Sequence, residues 1–569
     1  MSIRPSQAWL VAAACLLTAA HARAQVAPDA GRILRDSDRA KRELPPVTAP
    51  SAGVPAATEP ATNRPAGNVS TETTVYVRRI LIPAGYTVTQ EDVDLALEGR
   101  LGRRMNFLQL FDCLDVIADL LKKDGYPFAR VFLPEQRVSG SDITVRVYTG
   151  VLDGVQAVTT SKSPRIAPED VAARVTSALP RGKSFYAPAA ERGLLLAADL
   201  VGSPVSGQMS PGSLPGTTKL TVSYNDTPAT SWQVGADNYG NKFAGRARVT
   251  GDGRVLSSLV SGDAISFGVA LSSDLRNFHV GYQTPFGSSG WTGGVSYSDI
   301  HYALSGAFAG FEGDARELRA STTYPLIRTR ASSLYLDAAF SSRDLSTING
   351  PFTLPRTVNA GSLGLRLERY DDAMGGGVNT ADLTFISGDA QADNLIDPAN
   401  IRGATGSYSK VQIDLSRLQR LADKTTLTAS LRLQLTGDNL DTSEQGSLGG
   451  PFGVRAYANE EATGDQYSIF SLELQHQLTE GWGLKTFLDR GDVVITKDVY
   501  AGFSGRRSYG LSAFGIGTEW SGSLLGAATV FSVTAATAVG DNPGLGAGGL
   551  DSEGSTSDTR VWLSLTSRF

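Results

Sequence analysis

From about residue 228 onward the chain repeats one pattern, roughly ten residues alternating between apolar and polar and then a turn. Leu427, Ala429, Leu431, Leu433 and Leu435 alternate with Thr428, Ser430, Arg432, Gln434 and Thr436. Val411, Ile413 and Leu415 stand against Gln412, Asp414 and Ser416, and Leu363, Leu365 and Leu367 against Gly364, Arg366 and Glu368. Leu334, Leu336, Ala338 and Phe340 repeat the pattern once more. One face suits hydrocarbon and the other suits water. A soluble sandwich alternates too, but it would have to bury the charged residues of the second face, whereas a water-filled lumen accepts them. The pattern therefore predicts a transmembrane antiparallel β-barrel.

The last strand, "RVWLSLTSRF", places Val561, Leu563, Leu565 and Phe569 on one side and ends on an aromatic residue. A terminal Phe569 resembles the assembly signal that bacterial outer-membrane barrels present to their assembly machinery. The 342 residues from Pro228 to Phe569 accommodate about 16 strands of ~10 residues, joined by alternating short turns and longer outer loops. A barrel of that size encloses an aqueous channel and leaks unless something fills it.

Ahead of the barrel the period changes. Residues 74–150 read as a small α+β unit of order β-α-α-β-β: "TVYVRRILIPAG" as a strand, a helix opened by Thr89, a longer helix carrying Phe107, Leu110, Phe111, Leu114, Ile117, Ala118 and Leu121, then two strands. Residues 151–227 repeat the plan, with helices at 168–179 and 187–200. Further upstream, residues 45–73 are rich in Pro, Ala and Thr and read as a semi-extended linker with a reach on the order of 80 Å. Residues 25–44 predict a helix with a cap at Asp29, polar nearly all round because of Arg32, Arg35, Asp36, Asp38, Arg39, Lys41, Arg42 and Glu43. Such a helix needs a wet place to lie.

The first residues locate the chain. Arg4, the apolar run Ala8 to Ala20 and the small-x-small triplet Ala22-Arg23-Ala24 read as a cleaved secretory leader over 1–24. The formal charge of −5 gives no reason to expect nucleic acid as a partner, and Cys15 and Cys113 lack the spacing of a metal site. No metal or cofactor is expected. Cys113 falls beside the apolar stripe of the long helix and reads as a buried structural thiol. An enzyme is a poor reading: His279, His301 and His476 are scattered, "GLGAGGL" near residue 546 lacks a strand-turn-helix context, and Glu368 and Asp414 read as lumen charges.

Several motifs now stand in one order: "DAGRILRDSDRAKREL", "YPFARVFLPEQRVSGSDITVRVYTGVLDGV", "DNYGNKFAGRARVTG", "YQTPFGSSGWTGGVSYSD", "TTYPLIRTRASSLYL", "GPFGVRAYANEEATGD" and "FLDRGDV". Together they resemble the outer-membrane transporters of two-partner secretion, the haemolysin and haemagglutinin secretion-activation type of the barrel-assembly superfamily. The resemblance implies two periplasmic polypeptide-transport-associated (POTRA) domains, a plug helix carrying Arg32, Arg35, Arg39 and Arg42, and a Gram-negative outer membrane as its site. It implies a dedicated exported protein as partner, bound by unidentified residues within 74–227. It also implies an inward loop with Val454, Arg455 and Tyr457 at its tip, the arginine pairing with Asp489 in the strand motif Phe487, Asp489, Gly491. Ala456 stands where the family has glycine, which predicts strain of about 1 kcal/mol if that residue needs a positive φ. A passive porin leaves the upstream units without a use, and barrel-assembly insertases carry more POTRA domains and no such helix.

Overall fold

The computed structural model describes residues 27–42, 73–136 and 141–569, with the backbone alone at 37–42 and 547. The expected leader and nearly all of the linker lie outside these residues. Between Thr230 and Arg568, sixteen antiparallel strands close into one barrel, the first (Thr230–Asp237) pairing with the last (Thr559–Arg568) from Gln233↔Arg568 to Asp237↔Ser564. Strand parity sorts the side chains as the alternation requires. Leu363, Leu415, Leu435, Leu488, Val561 and Leu563 are exposed on the outer wall. Arg432 Nε donates to Asp414 across the inner wall at 2.8 Å, so these lumen charges meet a partner.

Most of the strands are longer than the ten residues expected. Ser332–Asn349 and Phe352–Asp371 run for 18 and 20 residues and share 18 register pairs. Their excess lies beyond the apolar band at the outer end: along the outward face Leu334, Leu336, Ala338 and Phe340 give way to Ser342, Asp344 and Ser346. Polar outward positions made that part of each strand unreadable as a membrane strand.

The unit over 74–148 has three strands more than its sequence suggested, because the first expected strand divides into Thr74–Val77 and Arg79–Leu81, the last into Asp142–Thr144 and Arg146–Tyr148, and one strand was not expected at all. Arg103–Asn106 forms a short strand antiparallel to Thr74–Val77. Only Met105 of its four residues is buried, and a single inward side chain gives no alternation to read. Its helices keep their capping signals: Thr89 and Asp92 satisfy each other's backbone N–H groups at the start of Gln90–Ala96, as Asn106 and Gln109 do for Phe107–Lys123. Cys113 is buried in the core with Leu110, Leu114 and Ile117. In the next unit, the strands Val151–Thr159 and Thr217–Tyr224 pair in parallel and Ser206–Pro211 forms an edge.

The helix Ala187–Val201 of this second unit rests on the inner turns of the barrel. Arg328 reaches Asp199 with two hydrogen bonds, at 2.9 and 2.6 Å. Arg192 donates to the Pro325 carbonyl at 2.7 Å, and the Arg330 N–H donates to Glu191 at 2.7 Å.

The opposite demands of the two walls set a test. Leu365→Arg, on the lipid face, is expected to destabilise the barrel by about 2–4 kcal/mol in a denaturant titration in lipid, whereas Ser362→Arg, on the wet face, should fall within about 1 kcal/mol of the wild type.

Candidate functional site

The chain between the strands Thr425–Thr436 and Gln466–Gln477 turns back into the barrel. Leu448, Val454, Ala456 and Tyr457 are buried there against Phe487, Val493, Leu511 and Ala513. Apolar residues in an outer loop are costly in water, so the loop folds onto the inner wall to cover them. Its turn is held by the Val454 N–H donating to the Leu448 carbonyl at 2.7 Å and by the Gly450 N–H donating to Tyr457 at 3.1 Å. Gly491 leaves the room: a Cβ there would lie 2.9 Å from both Leu448 Cδ2 and Val454 Cγ2.

Arg455 stands at the tip. Its Nε and Nη2 donate to the two carboxylate oxygens of Asp489 at 2.9 and 2.8 Å, and its backbone N–H adds a third bond to the same carboxylate at 3.1 Å. Nη2 also donates to Ser471 Oγ at 3.0 Å, Nη1 pairs with Glu473, and the guanidinium lies 3.3 Å from the centre of the Phe487 ring. Trp562 Nε1 donates to the Arg455 carbonyl at 2.7 Å, and the Tyr457 hydroxyl donates to the Ser512 carbonyl at 3.2 Å. The Asp489 side chain is 0% exposed and that of Arg455 11%. A fork-shaped, charge-assisted pair in such shielding is among the stronger polar contacts, and removing one member strands the other at a cost of about 3–5 kcal/mol.

Ser471, Glu473 and Trp562 escaped the reading of the sequence. The signal was parity: Ser471 and Glu473 stand opposite Asp489 and Phe487 in the register, and Trp562 alternates with the outward Val561 and Leu563. The strain expected at Ala456 is absent, because its backbone does not enter the positive-φ region. The non-glycine residues that do so in this loop are Glu460 and Ala462, at φ 63° and 57°.

The helix Ala30–Arg42 lies in the same lumen. It is less uniformly polar than its charge count suggests. Ala30, Ile33 and Leu34 make one buried stripe against Phe243, Tyr302, Leu304 and Leu345, three positions easily overlooked among the charges. Asp29 caps the helix, accepting from the Arg32 N–H at 3.0 Å, while its other oxygen accepts from Arg356 at 2.9 Å and from Thr442 Oγ1 at 2.8 Å. Burial opposes ionisation of Asp29, but Arg356 and Arg32 outweigh it and hold the carboxyl below the usual range. Arg32 pairs with Glu460 at 3.5 Å, and Arg35 donates to the Thr442 carbonyl at 3.5 Å and pairs with Asp36 at 3.2 Å. Arg39 and Arg42 lie in the last turns, and their side chains are outside the described set. Among the described residues no group of three or more His, Cys, Asp or Glu has the arrangement of a metal site.

Gly31 sits where the helix meets the inward segment. A Cβ there would lie 2.6 Å from the backbone nitrogen of Ser443. Gly31→Ala is therefore expected to speed hydrogen exchange of the helix amides, although alanine favours the helical conformation itself by about 1 kcal/mol. Slower exchange would refute the close approach.

Glu460 faces Arg32, Arg35, Asp36 and Asp29, and one of its oxygens is buried without a hydrogen bond. Burial, reinforced by Asp36, pushes its carboxyl up to about 7. A group whose docked value exceeds its released value favours docking in its protonated form, and that contribution is lost as pH rises through about 7. Exchange of the helix amides, corrected for intrinsic rates, should accelerate between pH 6 and 8 in the wild type and lose this dependence in Glu460→Gln.

The sequence and the fold both have known relatives. The model of the haemolysin secretion/activation protein family ShlB/FhaC/HecB matches residues 216–518, and that of the POTRA domain, ShlB-type, matches 76–150. The chain is 22% identical over 463 residues to the heme/hemopexin transporter protein HuxB of Haemophilus influenzae (strain 86-028NP), covering 79% of this chain and 80% of that one. It is 24% identical over 423 residues to the outer membrane transporter CdiB of Escherichia coli, covering 71% and 69%. The solved structure of CdiB from Escherichia coli aligns with a TM-score of 0.72 at 21% identity, over 96% of this chain and all of that one, and that of CdiB from Acinetobacter baumannii with 0.67 at 13% identity, over the whole of both. With more than half of its length matched, the chain belongs to the ShlB/FhaC/HecB family of haemolysin secretion/activation proteins, outer-membrane transporters of two-partner secretion in Gram-negative bacteria.

Proposed function

We propose that residues 74–227 capture the unfolded leading region of one large exported partner in the periplasm, and that the barrel then passes the partner outward as an extended chain. The edge strand Ser206–Pro211 and the strand-helix grooves are the surfaces suited to an extended segment. In the resting state the helix Ala30–Arg42 stoppers the lumen and the pair of Arg455 with Asp489 keeps the inward loop in place. Capture releases the helix and relaxes the loop. The observation that carries this reading is that a charged helix and an arginine-tipped loop occupy one closed barrel and bond to its inner wall, an arrangement a passive porin has no need of.

The work of the chain is transport without catalysis. Net movement comes from the partner folding at the cell surface, since the sequence holds no nucleotide-binding motif. The outer wall is solvated by lipid, and Phe569 addresses the chain to the barrel-assembly machinery. Residues 1–24, 25–44, 45–73, 74–150, 151–227 and 228–569 serve as leader, plug, linker, two capture domains and pore.

Arg455→Ala and Asp489→Ala are expected to lower partner secretion at least tenfold while the barrel keeps its heat-dependent gel mobility; normal secretion from both would remove the pair from the mechanism. Deleting residues 29–44 should raise conductance in planar bilayers, and unchanged conductance would refute the stopper.

A further inference from the structure

Arg356, on the inner wall near the outer mouth, is 5% exposed and meets carboxylates from three separate elements. Its Nη2 donates to Asp29 of the helix cap at 2.9 Å, and its Nη1 to Asp441 of the inward segment at 2.9 Å and to Thr442 Oγ1 at 3.1 Å. The third carboxylate belongs to Asp397, in the outer loop between the strands Gly377–Ala392 and Gly406–Ala422. It stops short. Arg356 Nε and Asp397 Oδ2 lie 3.9 Å apart, and neither has a hydrogen-bond partner although both are buried. The other oxygen of Asp397 is anchored by the Ala399 N–H at 2.8 Å, at the start of the short helix Pro398–Ile401, so the carboxylate is held in waiting.

We propose that Arg356 is a positioning residue that exchanges partners during transport, bonding Asp29 while the helix is docked and closing on Asp397 when the helix leaves. The inference rests on the stopper reading above. Its physical basis is that a buried donor and a buried acceptor without partners are each costly, and here one movement satisfies both. With the helix docked, the guanidinium is spread over Asp29 and Asp441, and Asp397 bears the deficit. Withdrawal of Asp29 frees Nη2, and a displacement of about 1 Å brings Nε to Asp397 at ordinary hydrogen-bond length. Asp29 therefore belongs to the closed state and Asp397 to the open one, although both are acids on the same guanidinium.

That opposition is the test. Asp29→Asn and Asp397→Asn each remove one negative charge from Arg356, and Asn still caps a helix. Two merely structural ion pairs would shift the channel in the same direction. With the full chain in planar bilayers, Asp29→Asn is expected to raise the open-to-closed ratio roughly tenfold and Asp397→Asn to lower it roughly tenfold, the size of one charge-assisted hydrogen bond. Asp397→Ser, which also retains a capping oxygen, replaces the amide variant if that one does not assemble. Shifts of the same sign, or none from Asp397, overturn the exchange. The deletion of residues 29–44 separates the two ideas: unchanged conductance sinks the stopper and the exchange together, whereas raised conductance with same-sign shifts sinks the exchange alone.

Discussion

A β-sheet in hydrocarbon has no tolerable edge, because every unpaired N–H and C=O there costs several kcal/mol. Much of this molecule follows from that constraint. The sheet must close, so Thr230–Asp237 returns to Thr559–Arg568, and sixteen strands closed in this way surround a space too wide for their own side chains to fill. The space must then be lined with groups that accept water, and its occupants must be held by bonds to that lining. The inward loop and the helix Ala30–Arg42 meet both conditions, with arginines as their main contacts.

The two occupants are tied to one piece of chain. Asp441 and Thr442 touch Arg356 and, through Thr442, the helix cap at Asp29. Arg455 holds Asp489, and Glu460 returns to Arg32. The helix and the loop tip are thus joined to one segment by these bonds, with Gly31 marking the place where the helix comes within 2.6 Å of backbone, measured from a Cβ built there, and Gly491 the place where the loop's side chains press closest to the wall. Because these charges are buried, each derives its stability from its partner, and loss of one contact leaves another group exposed to the same penalty.

The outer wall was legible in the sequence because lipid favours alternation: Leu363, Leu415 and Leu488 are apolar and exposed on its outward face. Arg455 and Asp489 were found only through resemblance, since an arginine in a loop has no period of its own. Ser471, Glu473 and Trp562 obeyed parity but carried no motif. The apolar stripe of Ala30, Ile33 and Leu34 was masked by eight charges around it. Arg356 was unreadable: its partners lie 327, 85 and 41 positions away, and such contacts exist only once the barrel has closed.

The long central strands have a consequence for where a passenger emerges. Twenty residues at ~3.3 Å, inclined at ~45°, rise about 47 Å, against an apolar band of ~25 Å. With Ser342, Asp344 and Ser346 facing outward above the lipid, this wall stands as a chimney of about 20 Å, more than twice the distance of about 8 Å over which salt screens surface charge. A rim at that height lies beyond the reach of charge on the membrane surface.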